Sequence, residues 1–127
     1  MLWVIGAGGL FGSAVARAAL TNGWTLFPGS SIPWSDPDTA KSVITQDARH
    51  FASAVKPVNR WAIVWAAGRA TTSSTHEEAD RELSVFTDSI TALRDQTAEH
   101  SGGSFLLASS AGGIYAGSSD PPFDSRT

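Results

Sequence analysis

The chain contains no cysteine. Disulfides, thiolate zinc sites and thiol nucleophiles are therefore excluded together. That suits a reducing compartment, and a cytoplasmic location is expected. Charge is scarce: 17% of residues are charged and the formal net charge is −3. With a pI near 5.4, this argues against a protein held to nucleic acid by phosphate contacts. His50, His76 and His100 stand alone, apart from His76 beside Glu77 and Glu78 at a helix start. Surface histidines and no metal site are expected. The apolar first twenty residues contain four glycines and Arg17, with no basic segment ahead of them. They read as strand, turn and helix rather than as a secretory signal or membrane span. Twelve Gly and six Pro, spread along the chain, exclude a collagen-like or coiled-coil fibre.

What is present is a globular chain. The 127 residues, 42% of them hydrophobic, suit one domain, residues 1–127, with a real core. Leu2–Ile5 reads as a buried parallel strand ending at Gly6. Leu10, Phe11, Ala14, Val15, Ala18 and Ala19 have helical spacing, stopped by Asn22-Gly23. Trp24–Phe27 reads as a second strand, followed by a Ser- and Pro-rich loop. Over Asp38–Val55, the positions Ala40, Val43, Ile44, Asp47, Ala48, Phe51, Ala52 and Val55 form a helical stripe. Ser35 or Asp36 would cap this helix, with Pro37 near its first position. The competing reading makes Ser42–Thr45 a strand and Asp47 an adenine contact; the helix is preferred because its period runs through that segment.

Trp61–Ala67 reads as a further buried strand ended by Gly68. Ser74 with Glu77, or Thr75 with Glu78, offers a capping box for the next helix. Its inner stripe is expected at Ala79, Leu83, Phe86, Ile90 and Leu93. Ser104–Ala108 is expected to be a last buried strand. Glu77, Glu78, Asp80 and Glu82 read as a solvated face at a helix start. Trp3 and Trp61 are expected in the core and Trp65 at a strand end. Trp34 is expected to pack against the helix above it, the alternative being an adenine cover. Strands alternating with amphipathic helices predict an α/β fold, a parallel sheet with helices on both faces. Ligands then bind beyond the carboxyl ends of the strands.

One motif falls there. Gly6-Ala7-Gly8-Gly9-Leu10-Phe11-Gly12 follows the first strand and opens the first helix. Gly6 permits a tight turn, Gly8 and Gly9 let the backbone approach a pyrophosphate, and Gly12 allows close packing. The helix supplies free N–H groups and its positive dipole end. The spacing can be read as GxGxxG from Gly6 or as GxxGxxG through Gly6, Gly9 and Gly12.

The second spacing is that of the short-chain dehydrogenase/reductase family. Trp65-Ala66-Ala67-Gly68 resembles that family's small-residue stretch on the nicotinamide side. The segment from Phe105 through Ser109-Ser110 and Tyr115 to Gly117 resembles the "SS…VYG" segment of its extended subgroup, the nucleotide-sugar epimerases and dehydratases. The resemblance spans essentially the whole chain. It implies a Rossmann-type fold and an NAD(P)-dependent enzyme moving hydride at a nucleotide-sugar carbon. It assigns cofactor contacts to Gly6, Gly8, Gly9, Leu10, Phe11, Gly12, Ser30, Ala66, Ala67 and Gly68. Ser110, with Ser109 second, would polarise the substrate oxygen.

Tyr115 does not fit the family's catalytic Tyr-x-x-x-Lys, because Ser119 stands four residues on. The lysines, Lys41 and Lys56, precede it. The catalytic pair is therefore absent, and the chain reads as the N-terminal part of a longer enzyme, inactive alone, with an exposed sheet edge that favours a homodimer. The alternative is a non-catalytic NAD(P)-binding redox sensor. The ribose-binding acid expected about 20 residues past the glycine loop falls on Ser30, which carries no carboxylate. That leans the cofactor from NAD towards NADP.

Overall fold

A computed structural model of the protein describes residues 1–57, 60–69, 73–109 and 119. Strands β1 (Leu2–Ile5) and β2 (Trp61–Trp65) are buried along their whole length, as strands covered on both faces must be. They pair in parallel, Leu2 opposite Ala62 and Ile5 opposite Trp65. β3 (Gly103–Leu107) pairs in parallel with the other edge of β2, Trp61 opposite Gly103. The described chain is thus mixed α/β, with a three-stranded parallel sheet in the order β1-β2-β3 and three helices.

The expected strand Trp24–Phe27 is reduced to one parallel bridge between Leu26 and Leu2. The Leu2 N–H donates to the Thr25 carbonyl (2.8 Å) and the Phe27 N–H to the Leu2 carbonyl (2.7 Å). Leu2 spends both its main-chain groups on this segment, which therefore lies on the opposite edge of β1 from β2. Chain order and spatial order diverge at β1: the path goes to one side of it through α1 (Leu10–Thr21) and returns to the other through α2 (Pro37–Val55).

Side chains alternate across the sheet. Leu2, Val4, Ala62 and Val64 meet Val15, Ala16 and Ala19 of α1. Trp3, Ile5, Trp61, Ile63 and Trp65 meet α2 and α3 (His76–Thr97) on the other face. There Phe51 forms an aromatic cluster with Trp3, Phe27 and Trp61, ring centroids 5.3–5.8 Å away. Trp3 and Trp61 are in the core, as expected.

The α2 stripe agrees closely with the sequence reading. Ala40, Ile44, Asp47, Ala48, Phe51, Ala52 and Val55 are buried, and Val43 is half-buried. Residues Ser42–Thr45 are helical, so the alternative strand there is excluded. Asp36 caps this helix, with Pro37 in the first turn. The Thr39 hydroxyl (2.7 Å) and N–H (3.3 Å) both donate to its carboxylate. These bonds, the hydroxyl's first, hold the Asp36 carboxyl below its usual range. Thr75 and Glu78 form the capping box of α3.

Three expectations need correction. In α1 the sheet-facing residues are Gly12 and Ala19, with Val15 and Ala16 half-buried. Leu10, Phe11 and Leu20 are exposed, as are Ala14 and Ala18. The cause is Gly12, whose Cα sits against the Gly6 carbonyl with no room for a Cβ and so sets the helix's rotation. In α3 the buried ridge is Val85, Ser89 and Leu93, while Leu83 is exposed and so is Ala79. Lys41 of α2 reaches across to Asp88 (2.7 Å) and Ser84 (3.1 Å), which holds α3 in that orientation. β3 forms, but it is exposed throughout. Nothing described packs over Phe105, Leu106 and Leu107, which are 43–53% exposed.

Two tests follow from this packing. Phe51→Ala removes the ring at the centre of the aromatic cluster and should cost about 3–5 kcal/mol; an unchanged urea midpoint would contradict the packing. The Asp36 carboxyl is held low on folding, so its contribution is complete above the ordinary carboxylate range and is lost as pH falls through the lowered value. The stability gap between the protein and Asp36→Ala should accordingly narrow on acidification, measured as urea midpoints across an acid series.

Candidate functional site

Beyond the carboxyl ends of β1 and β2 opens a cleft of about 1190 Å³. Its walls are the turn after β1, the loop after the Leu26 bridge, the residues after β2 and the first turns of α3.

The turn after β1 is built on two close approaches. Gly6 has φ +91°, and a Cβ there would lie 2.6 Å from the Ala67 nitrogen and 2.8 Å from the Ala66 carbonyl carbon. Only glycine fits both the dihedral and the space. The Gly9 N–H closes the turn on the Gly6 carbonyl (3.1 Å). Gly8 and Gly9 differ in kind: a Cβ on Gly8 meets nothing within 4 Å, and one on Gly9 meets only the Gly6 oxygen at 3.5 Å. Their glycines answer no packing demand among the described residues, and both line the cleft.

Gly9 is also the N-cap of α1. No side chain caps this helix, and no acidic residue occupies its first turn. The starts of α2 and α3 carry both a capping side chain and acidic residues. The orphan N–H groups of α1 therefore keep their positive end for something else, and an anion such as phosphate suits them. Leu10 and Phe11 hold their side chains in solvent and are not part of the cleft lining.

The small residues after β2 frame the opposite lip. The Ala66 N–H extends the ladder to the Ile5 carbonyl (2.8 Å), and the Trp65 indole N–H donates to the Ala67 carbonyl (3.0 Å). Trp65 is buried, edge-on to Phe86 (5.0 Å) and Trp34 (6.0 Å). Trp34 thus packs on Trp65, and both line the cleft.

The loop after the bridge carries Ser30, and here the structure adds what the sequence reading missed. The Ser30 N–H (2.7 Å) and hydroxyl (2.8 Å) both donate to the carboxylate of Asp47. Asp47 is the one polar member of the buried α2 stripe and only 4% exposed. Gly29 passes between it and Trp3: a Cβ there would lie 2.6 Å from the Trp3 indole nitrogen and 3.5 Å from an Asp47 oxygen. A carboxylate on an otherwise apolar helical stripe was the available signal.

The acidic start of α3 is exposed at Glu77, Glu78 and Asp80, as expected, and half-buried at Glu82. Glu78 and Glu82 line the cleft. Glu78 accepts from the Thr75 N–H (2.8 Å) in the expected capping box, and Glu82 accepts from the Arg69 N–H (3.1 Å), a tie that residue order did not show. Glu77 does stay in solvent, paired with Arg81 (3.2 Å).

Of the site residues named from the sequence, Gly6, Gly8, Gly9, Ser30, Ala66, Ala67 and Gly68 line one cleft, and Gly12 supports its floor. Ser109 is exposed just past the end of β3 and is not part of that lining. Ser110 and Tyr115 lie outside the described residues. No group of His, Asp or Glu able to hold a metal occurs among the described residues. No family model matches the chain, and no curated protein or solved structure matches it either.

The two kinds of glycine can be told apart by folding alone. Gly6→Ala should lose about 1–3 kcal/mol through backbone strain alone, with the clash at Ala67 added. Gly8→Ala should leave thermal stability unchanged. Equal melting temperatures for the two variants would remove the distinction.

Proposed function

We propose that the protein is the dinucleotide-binding, Rossmann-type part of an NAD(P)-dependent oxidoreductase of the extended short-chain type, acting on a nucleotide sugar. The observation that carries this reading is the uncapped start of α1 behind an open glycine turn, at the mouth of a dinucleotide-sized cleft. Main-chain N–H groups of the first turn of α1 would hold the pyrophosphate. Ser30 would face the adenosine ribose, and Ala66, Ala67 and Gly68 would border the nicotinamide. A bound nicotinamide would supply and take back the hydride. Ser110, with Ser109 second, would hydrogen-bond the substrate oxygen. A cytoplasmic homodimer belongs to the same reading. No helix among the described residues is long and apolar enough to cross a membrane.

A redox sensor on the same fold is the second reading. No Tyr-x-x-x-Lys occurs within these 127 residues. General acid–base groups contribute roughly 10²–10⁴-fold to such reactions. The 127-residue chain should therefore bind a dinucleotide without turning over substrate; clear steady-state turnover would refute that. The N-cap dihedrals of Gly9, φ −80° and ψ 170°, are open to any residue. Gly9→Val should therefore fold yet lose NADH and NADPH binding together, because its side chain would stand where the phosphates approach. Unchanged affinity in folded Gly9→Val would remove the glycine turn from the site.

A further inference from the structure

Ser30 stands where a ribose-binding acid is expected, and its hydrogen-bonding polarity is already decided. Its N–H and its hydroxyl hydrogen are both spent on Asp47. A hydroxyl has one donor and two acceptor lone pairs. What Ser30 Oγ can still offer the cleft is acceptor character alone. An unphosphorylated ribose presents hydroxyl donors and matches it. A 2′-phosphate presents only acceptors and negative charge, and does not.

The surrounding charge points the same way. Asp47 lies in none of the ion pairs among the described residues. Lys41, on the same helix, is tied to Asp88 and Ser84. Arg69 and Arg81 line the cleft; Arg69 follows β2, on the far side of β1 from the Leu26 segment that leads to Ser30, and Arg81 makes an exposed pair with Glu77. A 2′-phosphate at Ser30 would meet a carboxylate beneath it.

We propose that Asp47, acting through Ser30, selects an unphosphorylated adenosine ribose, and that the protein takes NAD rather than NADP. The acid missing from the strand end is supplied from α2, one layer below, as a positioning residue. This reverses the leaning to NADP that residue order alone suggests. The inference rests on the dinucleotide-binding reading above.

The test is direct titration of NADH and NADPH, followed by nicotinamide fluorescence, on the protein and two variants. The unaltered protein should prefer NADH at least tenfold. In Asp47→Asn the amide oxygen still accepts from the Ser30 N–H, while the amide N–H₂ donates to Ser30 Oγ. That frees the Ser30 hydroxyl hydrogen for the cleft and removes the charge. The preference should fall at least fivefold, chiefly through tighter NADPH binding, with circular dichroism unchanged. Ser30→Ala keeps the charge and loses the acceptor. NADH should weaken about threefold or more, and NADPH should not improve. This second variant decides the matter if Asp47→Asn does not fold. A preference for NADPH, equal affinities, or folded variants that leave the ratio and NADH affinity unchanged would overturn the inference while leaving dinucleotide binding intact. Failure of the unaltered protein to bind either compound would overturn both.

Discussion

The upper half of this molecule depends on how closely the turn after β1 approaches the end of β2. Gly6 lies against the Ala66–Ala67 backbone with no space for a single methyl group, and Gly12 lies against the Gly6 carbonyl in the same way. These two approaches fix three things together. They bring the β1 and β2 lips of the cleft to one level. They aim the start of α1 at the opening. They also set the rotation of α1, so that Gly12, Val15, Ala16 and Ala19 face the sheet while Leu10 and Phe11 do not. A helix free to turn would bury its larger residues, since burying a Leu or Phe is worth about 1.5–3 kcal/mol. The observed rotation forgoes that gain, so the glycine contact prevails.

The other sheet face carries a different constraint. A buried carboxylate costs several kcal/mol unless it is paired or hydrogen-bonded. Asp47 sits at the top of an aromatic cluster of Trp3, Phe27 and Phe51 and accepts two short bonds from Ser30. That pairing ties the loop over Gly29 to α2 across 17 residues of sequence. The loop is therefore held from below, by a helix, rather than by extension of the strand, which survives only as the Leu26 bridge. Gly29 is required for the same reason, because the loop must pass between the Trp3 indole and the carboxylate.

What could be read from residue order follows from the range of the forces involved. The α2 helix was legible because seven apolar positions share one stripe and Asp36 and Thr75 announce their helices by local bonds. The glycine turn was legible because strand, glycines and helix are contiguous. The rotations of α1 and α3 were not, because they are set by contacts with other elements, Gly6 for one and Lys41 for the other. The apolar run of β3 was read as buried, yet apolarity records what a strand could be covered by, not whether it is covered. The partner of Ser30 was invisible for a simpler reason: nothing local relates a loop serine to a carboxylate 17 residues away on another element.

Taken together the two constraints give the cleft a polarity. At the α1 end it offers main-chain donors and a positive dipole end, with no capping side chain or acid in the first turn. At the Ser30 end it offers an acceptor over a buried carboxylate. Along the β2 lip, Ala66, Ala67 and Gly68 leave a wall of small residues backed by the Trp65 ring, with Arg69 and Glu82 beside it. A ligand complementary to all three regions is anionic in its middle, bears hydroxyl donors on one side and presents a flat group on the other. Neither a simple phosphate nor a purely apolar molecule satisfies more than one of these regions, which is why the ligand proposed for this cleft is a dinucleotide with a free adenosine ribose.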